Sequence, residues 1–194
     1  MPRPLGKRLC MRCFIALELD DSIKDKLQTA QEFFQNLRGK IRWCSRNQMH
    51  LTLKFLGETK DDLVPKVIEA IKSASSEIPK FEFSVEGLGA FPPTGQPRVL
   101  WTGIKSDDNL IRLQKNIEEK ILPLGFPKEN RDFSPHLTLG RVKERIDVNA
   151  YRQVIAEKNQ FKAGIQRTGK VILFSSQLKP TGAIYTPVKE IFLR

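Results

Sequence analysis

The sequence lacks the features that mark exported, membrane-spanning and triphosphate-dependent proteins. It has three cysteines, too few for a disulfide framework, and no apolar run near the roughly 18 residues that a transmembrane helix needs. Glu18 and Asp20 interrupt the apolar run from Phe14, so the basic start of the chain is not expected to be a secretory signal. The glycines form no GxxxxGKS-type or GxxxxGKT-type phosphate loop, which disfavours a triphosphate-dependent ligase. These absences together predict a cytoplasmic protein.

Acidic residues are few relative to basic ones. The 194 residues include 33 Lys and Arg against 22 Asp and Glu, a formal net charge of +11 at pH 7. A positive field of this kind attracts polyanions and speeds their capture. Because the basic residues are dispersed rather than clustered, charge alone leaves two interpretations open. The surface either keeps the protein soluble or binds nucleic acid.

The first ten residues differ from the rest of the chain. They contain Arg3, Lys7 and Arg8, two prolines, a glycine and no acidic residue. This composition predicts a disordered tail over residues 1–10, followed by a single domain over residues 11–194. An apolar strand begins just after Met11, so Met11 is an alternative start of the protein.

Hydrophobic periodicity predicts strands and helices in an irregular order. The expected strands are 12–19, 41–44, 50–56, 81–86, 99–104, 136–142, 169–178 and 183–193. The expected helices are one that Ser22 caps and Gly39 closes, and three at 62–76, 109–122 and 148–157. A glycine- and proline-rich stretch, 87–97, ends one strand, and a turn at 179–182 joins the last two. Successive strands in several places favour an α+β fold with antiparallel-rich sheets over a doubly wound parallel sheet.

The chain has only two histidines, and both lie in the same four-residue motif. His50 and His136 each open an identical His-Leu-Thr-Leu tetrapeptide, at residues 50–53 and 136–139. A separation of 86 residues is nearly half the chain. The repeat therefore predicts two related lobes that each supply one copy.

Strand geometry predicts what each tetrapeptide presents. Successive side chains of a strand point to opposite faces, so the histidine and threonine share one face and the two leucines share the other. The leucines are expected in the core, and the imidazole and hydroxyl lie roughly 6.6 Å apart along the sheet surface. If an approximate two-fold axis relates the lobes, both pairs face one another across a cleft.

Two histidines and two hydroxyls around one small site suit a phosphodiester. With a free pKa of about 6.5, one imidazole can act as general base and the other as general acid. Threonine hydroxyls can donate hydrogen bonds to the non-bridging phosphoryl oxygens. A single His-x-Thr is usually an ordinary surface pair, but its duplication favours a site. A di-histidine metal site is the chemical rival, and it lacks a carboxylate or thiolate at matching positions.

Two segments resemble the signatures of a known family. Residues 42–58 and 134–141 are similar to the two signatures of the RNA 2′,3′-cyclic phosphodiesterases, historically called 2′-5′ RNA ligases, in the two-histidine (2H) phosphoesterase superfamily. Residues 12–19, 98–101 and 176–185 also resemble family segments. The likeness covers residues 11–194, and the 1–10 tail departs from it.

The resemblance implies a two-lobed α+β fold with pseudo-two-fold symmetry, an active-site cleft between the lobes, and neither metal nor cofactor. It also implies hydrolysis of RNA 2′,3′-cyclic phosphate ends to 2′-phosphomonoesters. By matched position, His50 is the general acid, His136 is the general base, and Thr52 and Thr138 hold the phosphate. Reversal of the same reaction would join RNA ends through a 2′-5′ linkage.

Three residues beyond the motifs are candidates for substrate binding. Phe55 and Arg141 each lie five residues after a histidine, and we expect them to flank the terminal nucleobase, Phe55 by stacking and Arg141 by stacking or phosphate contact. Phe55 could equally be a core residue. Lys54 has the same parity as His50 and Thr52, so it faces either the cleft or a solvated rim.

Weaker candidates have structural interpretations. Cys10 and Cys13 have the spacing of half a zinc or redox site, but no second pair accompanies them. Trp43 and Trp101 are expected to be packing residues rather than platforms for bases.

The expected partner is RNA with 2′,3′-cyclic phosphate ends, including tRNA fragments, bound by a monomer that does not contact membranes. Two alternative functions remain open. One is a non-catalytic protein that binds RNA ends. The other is a 2H phosphodiesterase that acts on another cyclic phosphate or on 2′-5′ oligonucleotides.

Overall fold

Residues 10–180 and 182–194, which the computed structural model describes, form nine β-strands and four α-helices. The strands are β1 (Cys10–Glu18), β2 (Ile41–Trp43), β3 (His50–Lys60), β4 (Phe81–Phe91), β5 (Val99–Ser106), β6 (His136–Val142), β7 (Lys162–Thr168), β8 (Lys170–Lys179) and β9 (Gly182–Phe192). The helices are α1 (Asp21–Glu32), α2 (Val64–Ser75), α3 (Asp108–Ile121) and α4 (Val148–Glu157). No helix in the described ranges is long and apolar enough to cross a membrane.

The strands form two sheets. The first sheet has the order β3-β1-β8-β9, and the second has the order β2-β6-β5-β4-β7. Every pair of neighbouring strands is antiparallel. The α+β class with antiparallel sheets, predicted from the irregular order of elements, is therefore confirmed.

Two of the helices cross from one sheet to the other. Each follows a strand of one sheet and packs against the other sheet. Helix α1 follows β1 of the first sheet but contacts β6 and β7 of the second. Helix α3 follows β5 of the second sheet but contacts β3 of the first, beside α2. The apolar stripe of α1 (Ile23, Leu27 and Ala30) is buried in this way. The exchange of helices ties the two sheets together.

Apolar side chains from both sheets form a continuous core. The cluster includes Ile15 and Leu51 from the first sheet and Leu100 and Leu137 from the second, each at most 1% exposed. Burial of a leucine or isoleucine side chain stabilises a fold by about 1.5–3 kcal/mol, so this shared core supplies the main force holding the sheets in place.

Several boundaries differ from those that the sequence predicts. Helix α1 begins at Asp21 after an N-cap at Asp20, so Ser22 lies inside the helix, and the helix ends at Glu32 well before Gly39. The buried side chains that follow it lie in turns rather than in a continued helix.

The structure also has longer strands than the sequence predicts, and one additional strand. β3 continues to Lys60, and β4 continues past Gly87 to Phe91. Gly87 has a φ of +77° at a register shift between Glu86 and Leu88, so a bulge lets the strand continue through a residue that the sequence marks as a breaker. β7 has no strong apolar alternation and was missed.

The predicted tail lies mostly outside the described residues, which begin at Cys10, and Cys10 is already part of β1. Thr181 of the predicted 179–182 turn also lies outside them. The strands on either side of that residue, β8 and β9, pair from Lys179 opposite Gly182 onward.

Candidate active site

The two His-Leu-Thr-Leu tetrapeptides line one cleft. His50 and Thr52 open β3 of the first sheet, and His136 and Thr138 open β6 of the second. All four border a single cavity of about 650 Å³. The structure thus brings together side chains from positions 86 residues apart.

The leucines of both tetrapeptides occupy the opposite face. Leu51, Leu53, Leu137 and Leu139 are each at most 3% exposed, whereas both histidines and both threonines are only partly buried. This division of faces is the one that strand alternation predicts. The leucines anchor each strand in the core and so fix the direction in which the polar side chains point.

Each motif strand contains an irregularity just after its threonine. The β1–β3 register shifts between Ile15 and Ala16, which leaves Leu53 as the extra residue, and the β5–β6 register shifts between Leu100 and Trp101, which leaves Leu139. A bulge of this kind places two successive side chains on one side and reverses the alternation beyond it. In both strands the fifth residue after the histidine therefore returns to the cleft.

Lys54 shows the consequence of the bulge. It is 2% exposed and its ammonium donates hydrogen bonds to Glu118 Oε2 at 2.8 Å and to the Pro127 carbonyl at 2.9 Å. Gln114 donates to the other Glu118 oxygen at 3.3 Å. Lys54 borders the cleft, one of the two positions predicted from strand parity, and its burial excludes the other, a solvated rim. Its charge is committed to a buried ion pair, so we assign it no substrate contact.

Phe55 and Arg141 are the residues that the bulges turn towards the cleft. Phe55 is 60% exposed and borders the cavity, which excludes the alternative that it belongs to the core. Arg141 is exposed and borders the same cavity. An exposed phenylalanine and an exposed arginine from opposite sheets thus face one space.

His136 is held by its backbone and by an aromatic ring. Its Nδ1 lies 2.7 Å from the Ser134 carbonyl oxygen, and the Phe91 ring meets the imidazole edge-on with 5.0 Å between centroids. Because a carbonyl only accepts hydrogen bonds, Nδ1 carries the proton in this contact. In the neutral ring, Nε2 is then the free acceptor.

His50 lies among aromatic rings. The Phe14 and Tyr185 rings are 4.8 and 5.2 Å from the imidazole, and Phe174 lies beyond them at 6.3 Å. Burial lowers the pKa of His50 to about 4, although a hydrogen bond to the Gln48 backbone raises it. The imidazole of His50 is therefore neutral at pH 7.

Tyr185 and Cys44 also border the cleft, although the sequence predicts no role for either. Burial raises the pKa of Tyr185, while the nearby charges of Arg141, Arg42 and Arg12 oppose that rise. Burial also raises the pKa of the Cys44 thiol to about 11, so the thiol is protonated at neutral pH. Both lie in segments that resemble the family, 42–58 and 176–185, but neither spacing nor chemistry indicates a role for the individual residues.

The tryptophans pack against glycines. A Cβ at Gly140 would lie 2.7 Å from the Trp43 ring, and the Trp101 ring similarly covers Gly89. Trp101 Nε1 is buried with no hydrogen-bond partner in the described part of the chain. Trp43 borders the cleft as well as packing on β6. Both rings have the packing contacts that the sequence predicts.

The cysteine pair does not form a ligand set. Cys10 is exposed and Cys13 is buried, as alternating strand positions require, and Cys10 Sγ lies 3.4 Å from Glu58 Oε2. Across residues 10–180 and 182–194, no three histidine, cysteine or carboxylate side chains come together in a way that could hold a metal ion.

Comparison with protein families agrees with this geometry. A family model described as LigT-like phosphoesterase matches the chain twice, over residues 17–101 and 103–185. Each match contains one of the two His-Leu-Thr-Leu tetrapeptides. The two halves of the chain therefore each resemble the same family unit.

Relatives and a solved structure are similar over nearly the whole chain. A protein of Archaeoglobus fulgidus named RNA 2′,3′-cyclic phosphodiesterase is 33% identical over 92% of this chain and 98% of its own length. One of the same name from Methanothermobacter thermautotrophicus is 30% identical over 94% and 98%. The crystal structure of a Thermus thermophilus protein, TT0787, superimposes with a TM-score of 0.80 at 27% identity, over 95% of this chain and 98% of that one.

Proposed function

The chain belongs to the LigT-like phosphoesterase family, and from that membership we propose that it hydrolyses the 2′,3′-cyclic phosphate at the end of an RNA to a 2′-phosphomonoester. One observation carries the proposal. The only two histidines of the sequence, each two residues before a threonine, border the same cavity although they come from different sheets. The relatives named above act on the same class of phosphodiester by name.

The reaction needs one proton removed and one supplied. His136 Nε2 takes a proton from water, and the water oxygen forms a bond to phosphorus as the bond from phosphorus to O3′ breaks. His50 gives its proton to the departing O3′, so the product carries a free 3′-hydroxyl and a 2′-phosphate. Positioned proton transfer of this kind contributes about 10²–10⁴-fold to a rate. The Nδ1 contact of His136 with Ser134 is compatible with the base role, because it leaves Nε2 unprotonated in the neutral ring. His50 has a similar backbone contact with Gln48, so the division of roles rests on the family resemblance.

Thr52 and Thr138 hold the phosphate in this mechanism. Their hydroxyls lie on the cleft face of their strands and can donate hydrogen bonds to the non-bridging oxygens, where negative charge grows in the transition state. Phe55 stacks on the terminal nucleobase, since an exposed aromatic ring that borders the cleft can stack on a base. Arg141, on the opposite sheet, contacts a phosphate of the RNA chain.

Whether His50 carries a proton that it can donate depends on the bound substrate. Burial lowers the pKa of His50 to about 4. A phosphate anion in contact with the imidazole favours its charged form and raises that pKa. Substrate binding therefore converts a neutral His50 into an acid, and the same arrangement run in reverse would support 2′-5′ ligation with the two roles exchanged.

The matching strand order supports a pseudo-two-fold relation between two similar lobes. β3 and β6 each pair with the strand that opens their half of the fold, β1 and β5, and those pair in turn with β8 and β4. The cleft is complete within one chain, which supports action as a monomer on RNA ends, tRNA fragments included. A cytoplasmic setting, with no metal or cofactor, completes the proposal.

A panel of RNA ends tests the reaction. The protein is incubated with adenosine 2′,3′-cyclic phosphate and with oligoribonucleotides ending in cyclic, 2′- or 3′-phosphate, with and without EDTA. We expect 2′-phosphate products from the cyclic ends alone, and equal rates in EDTA. Binding without turnover would support the RNA-end-binding alternative instead. Turnover restricted to 2′-5′ oligonucleotides would support a different 2H activity, and loss of turnover in EDTA would contradict the metal-independent mechanism.

A further inference from the structure

Two arginines stand directly opposite one another at one end of the cleft. Arg42 on β2 pairs in register with Arg141 on β6, and both are exposed side chains that border the cavity. Neither guanidinium forms an ion pair with any carboxylate in residues 10–180 and 182–194. Like charges directly across a β-sheet are destabilising, so this pair is unfavourable unless an anion lies between the two groups.

The other charges of the cleft do not compensate for this pair. Lys143, just beyond the end of β6, adds a third cation at the same end. Lys54 is neutralised by Glu118. The loop before His136 contributes Arg131, Glu129 and Asp132 to the lining, which adds no net positive charge. The net positive charge of the cavity is thus concentrated at the end formed by β2 and β6.

This positive end adjoins the histidines without coinciding with them. Arg141 lies three residues beyond Thr138, roughly 7–10 Å along a bulged strand. Tyr185 also borders this part of the cavity: its ring is 5.2 Å from that of His50, and the charges of Arg141 and Arg42 act to lower the pKa of its hydroxyl. An anion between the arginines would therefore be a neighbour of the phosphate at the histidines, and a strand of RNA carries its next phosphate one nucleotide away.

We propose that Arg42 and Arg141 together bind the phosphodiester next to the terminal cyclic phosphate, so that the site takes an RNA strand of at least two nucleotides in preference to a mononucleotide. The inference rests on the proposed function for the identity of the terminal group. Guanidinium groups suit this task, because their planar fork donates two parallel hydrogen bonds to phosphate oxygens. Lys143 lies where the RNA strand would leave the cleft.

The test compares a mononucleotide with a dinucleotide. kcat/KM is measured for adenosine 2′,3′-cyclic phosphate and for the adenylyl dinucleotide with the same end, in the wild type, Arg42→Met and the control Arg152→Met, an exposed arginine on α4. We expect the wild type to prefer the dinucleotide about tenfold or more, as one charge-assisted phosphate contact provides. Arg42→Met should abolish most of that preference, and Arg152→Met should retain it.

A second readout keeps this inference separate from the proposed reaction. Equilibrium dissociation constants are measured for 2′-AMP and for the dinucleotide 2′-phosphate, which need no turnover. We expect Arg42→Met to weaken binding of the dinucleotide and to leave binding of 2′-AMP unchanged. The slope of log K against log salt concentration for the dinucleotide should fall in magnitude by about 0.7, the value for one phosphate contact on a single strand. Equal losses for both ligands, or an unchanged ratio in Arg42→Met, would overturn the second phosphate site whether or not the protein is catalytic.

Discussion

The two histidines share a sequence motif but not an environment. His50 is enclosed by Phe14 and Tyr185, and burial lowers its pKa to about 4. Both histidines have a backbone contact with the residue two positions earlier, but only one ring, that of Phe91, lies against His136 among the described residues. This asymmetry suits a pair in which one imidazole gains a proton from solvent only when an anion is present, while the other keeps a free Nε2 acceptor.

Removing either imidazole tests the division of roles. We expect His50→Ala and His136→Ala each to lower kcat/KM on adenosine 2′,3′-cyclic phosphate by about 10²–10⁴-fold, the usual contribution of positioned proton transfer. A substrate with sulfur in place of O3′ has a leaving group that needs no protonation, so it should restore much of the rate of His50→Ala and none of that of His136→Ala. Rescue of the opposite variant would exchange the two roles, and a loss below tenfold would remove that histidine from the mechanism.

Burial of the His50 imidazole should also destabilise the folded protein at low pH. The pKa of His50 lies below the ordinary value of 6.5. As the pH falls, the unfolded chain therefore binds the proton before the folded protein does, and stability is lost between pH 6.5 and about 4. Relative to His50→Gln, we expect the wild type to lose about 2–3 kcal/mol of unfolding free energy between pH 7 and pH 4.5. Urea denaturation at both pH values measures this, and equal losses in the two proteins would show that His50 is not perturbed.

At the scale of the elements, paired bulges shape the cleft. Leu53 and Leu139 are the extra residues of β3 and β6, and each bulge is secured by a helix that follows a strand of the other sheet. On β3 the contact is Lys54 with Glu118 of α3. On β6, Gln31 of α1 donates to the Leu139 carbonyl at 2.9 Å. Without the bulges, Phe55 and Arg141 would point away from the motif residues.

The buried ion pair on β3 should be costly to break. Lys54→Met leaves the Glu118 carboxylate buried without its partner, and we expect a loss of about 3–5 kcal/mol in unfolding free energy. The double variant Lys54→Met with Glu118→Met removes both charges and should recover most of that loss. The exposed pair of Lys72 with Glu69 is the control, since Lys72→Met should cost less than about 1 kcal/mol. Urea denaturation that found equal costs for the two lysines would contradict a structural role for Lys54.

The sequence predicts those features that depend on local pattern. The limits of β6 and α4 match the prediction because apolar spacing, the motif and the Asp147 cap all lie within a few residues of each other. The face shared by each histidine and threonine follows from strand alternation alone. The position of Lys54 does not, because it depends on a bulge set by pairing with β1 and on Glu118, which is 64 residues away. Tyr185 joins the site only because β9 lies in the same sheet as β3.

At the scale of the whole molecule, the cleft requires both halves of the chain to fold together. Each sheet is covered by a helix that follows a strand of the other, and the core runs through both. The facing motifs are therefore held by the entire fold rather than by a local loop. The net charge of +11 adds a positive field that attracts polyanions, and the cations of the cleft itself lie at one end.

The central claim is that the two imidazoles meet a single phosphate, and the presence of only two histidines makes it directly measurable. The imidazole NMR signals, assigned with His50→Gln and His136→Gln, are followed while 2′-AMP is added to the wild type. Both signals should shift along one binding curve with a single dissociation constant, and the His50 signal should move towards its protonated form. A response from only one histidine, or two curves with different dissociation constants, would contradict a shared phosphate site.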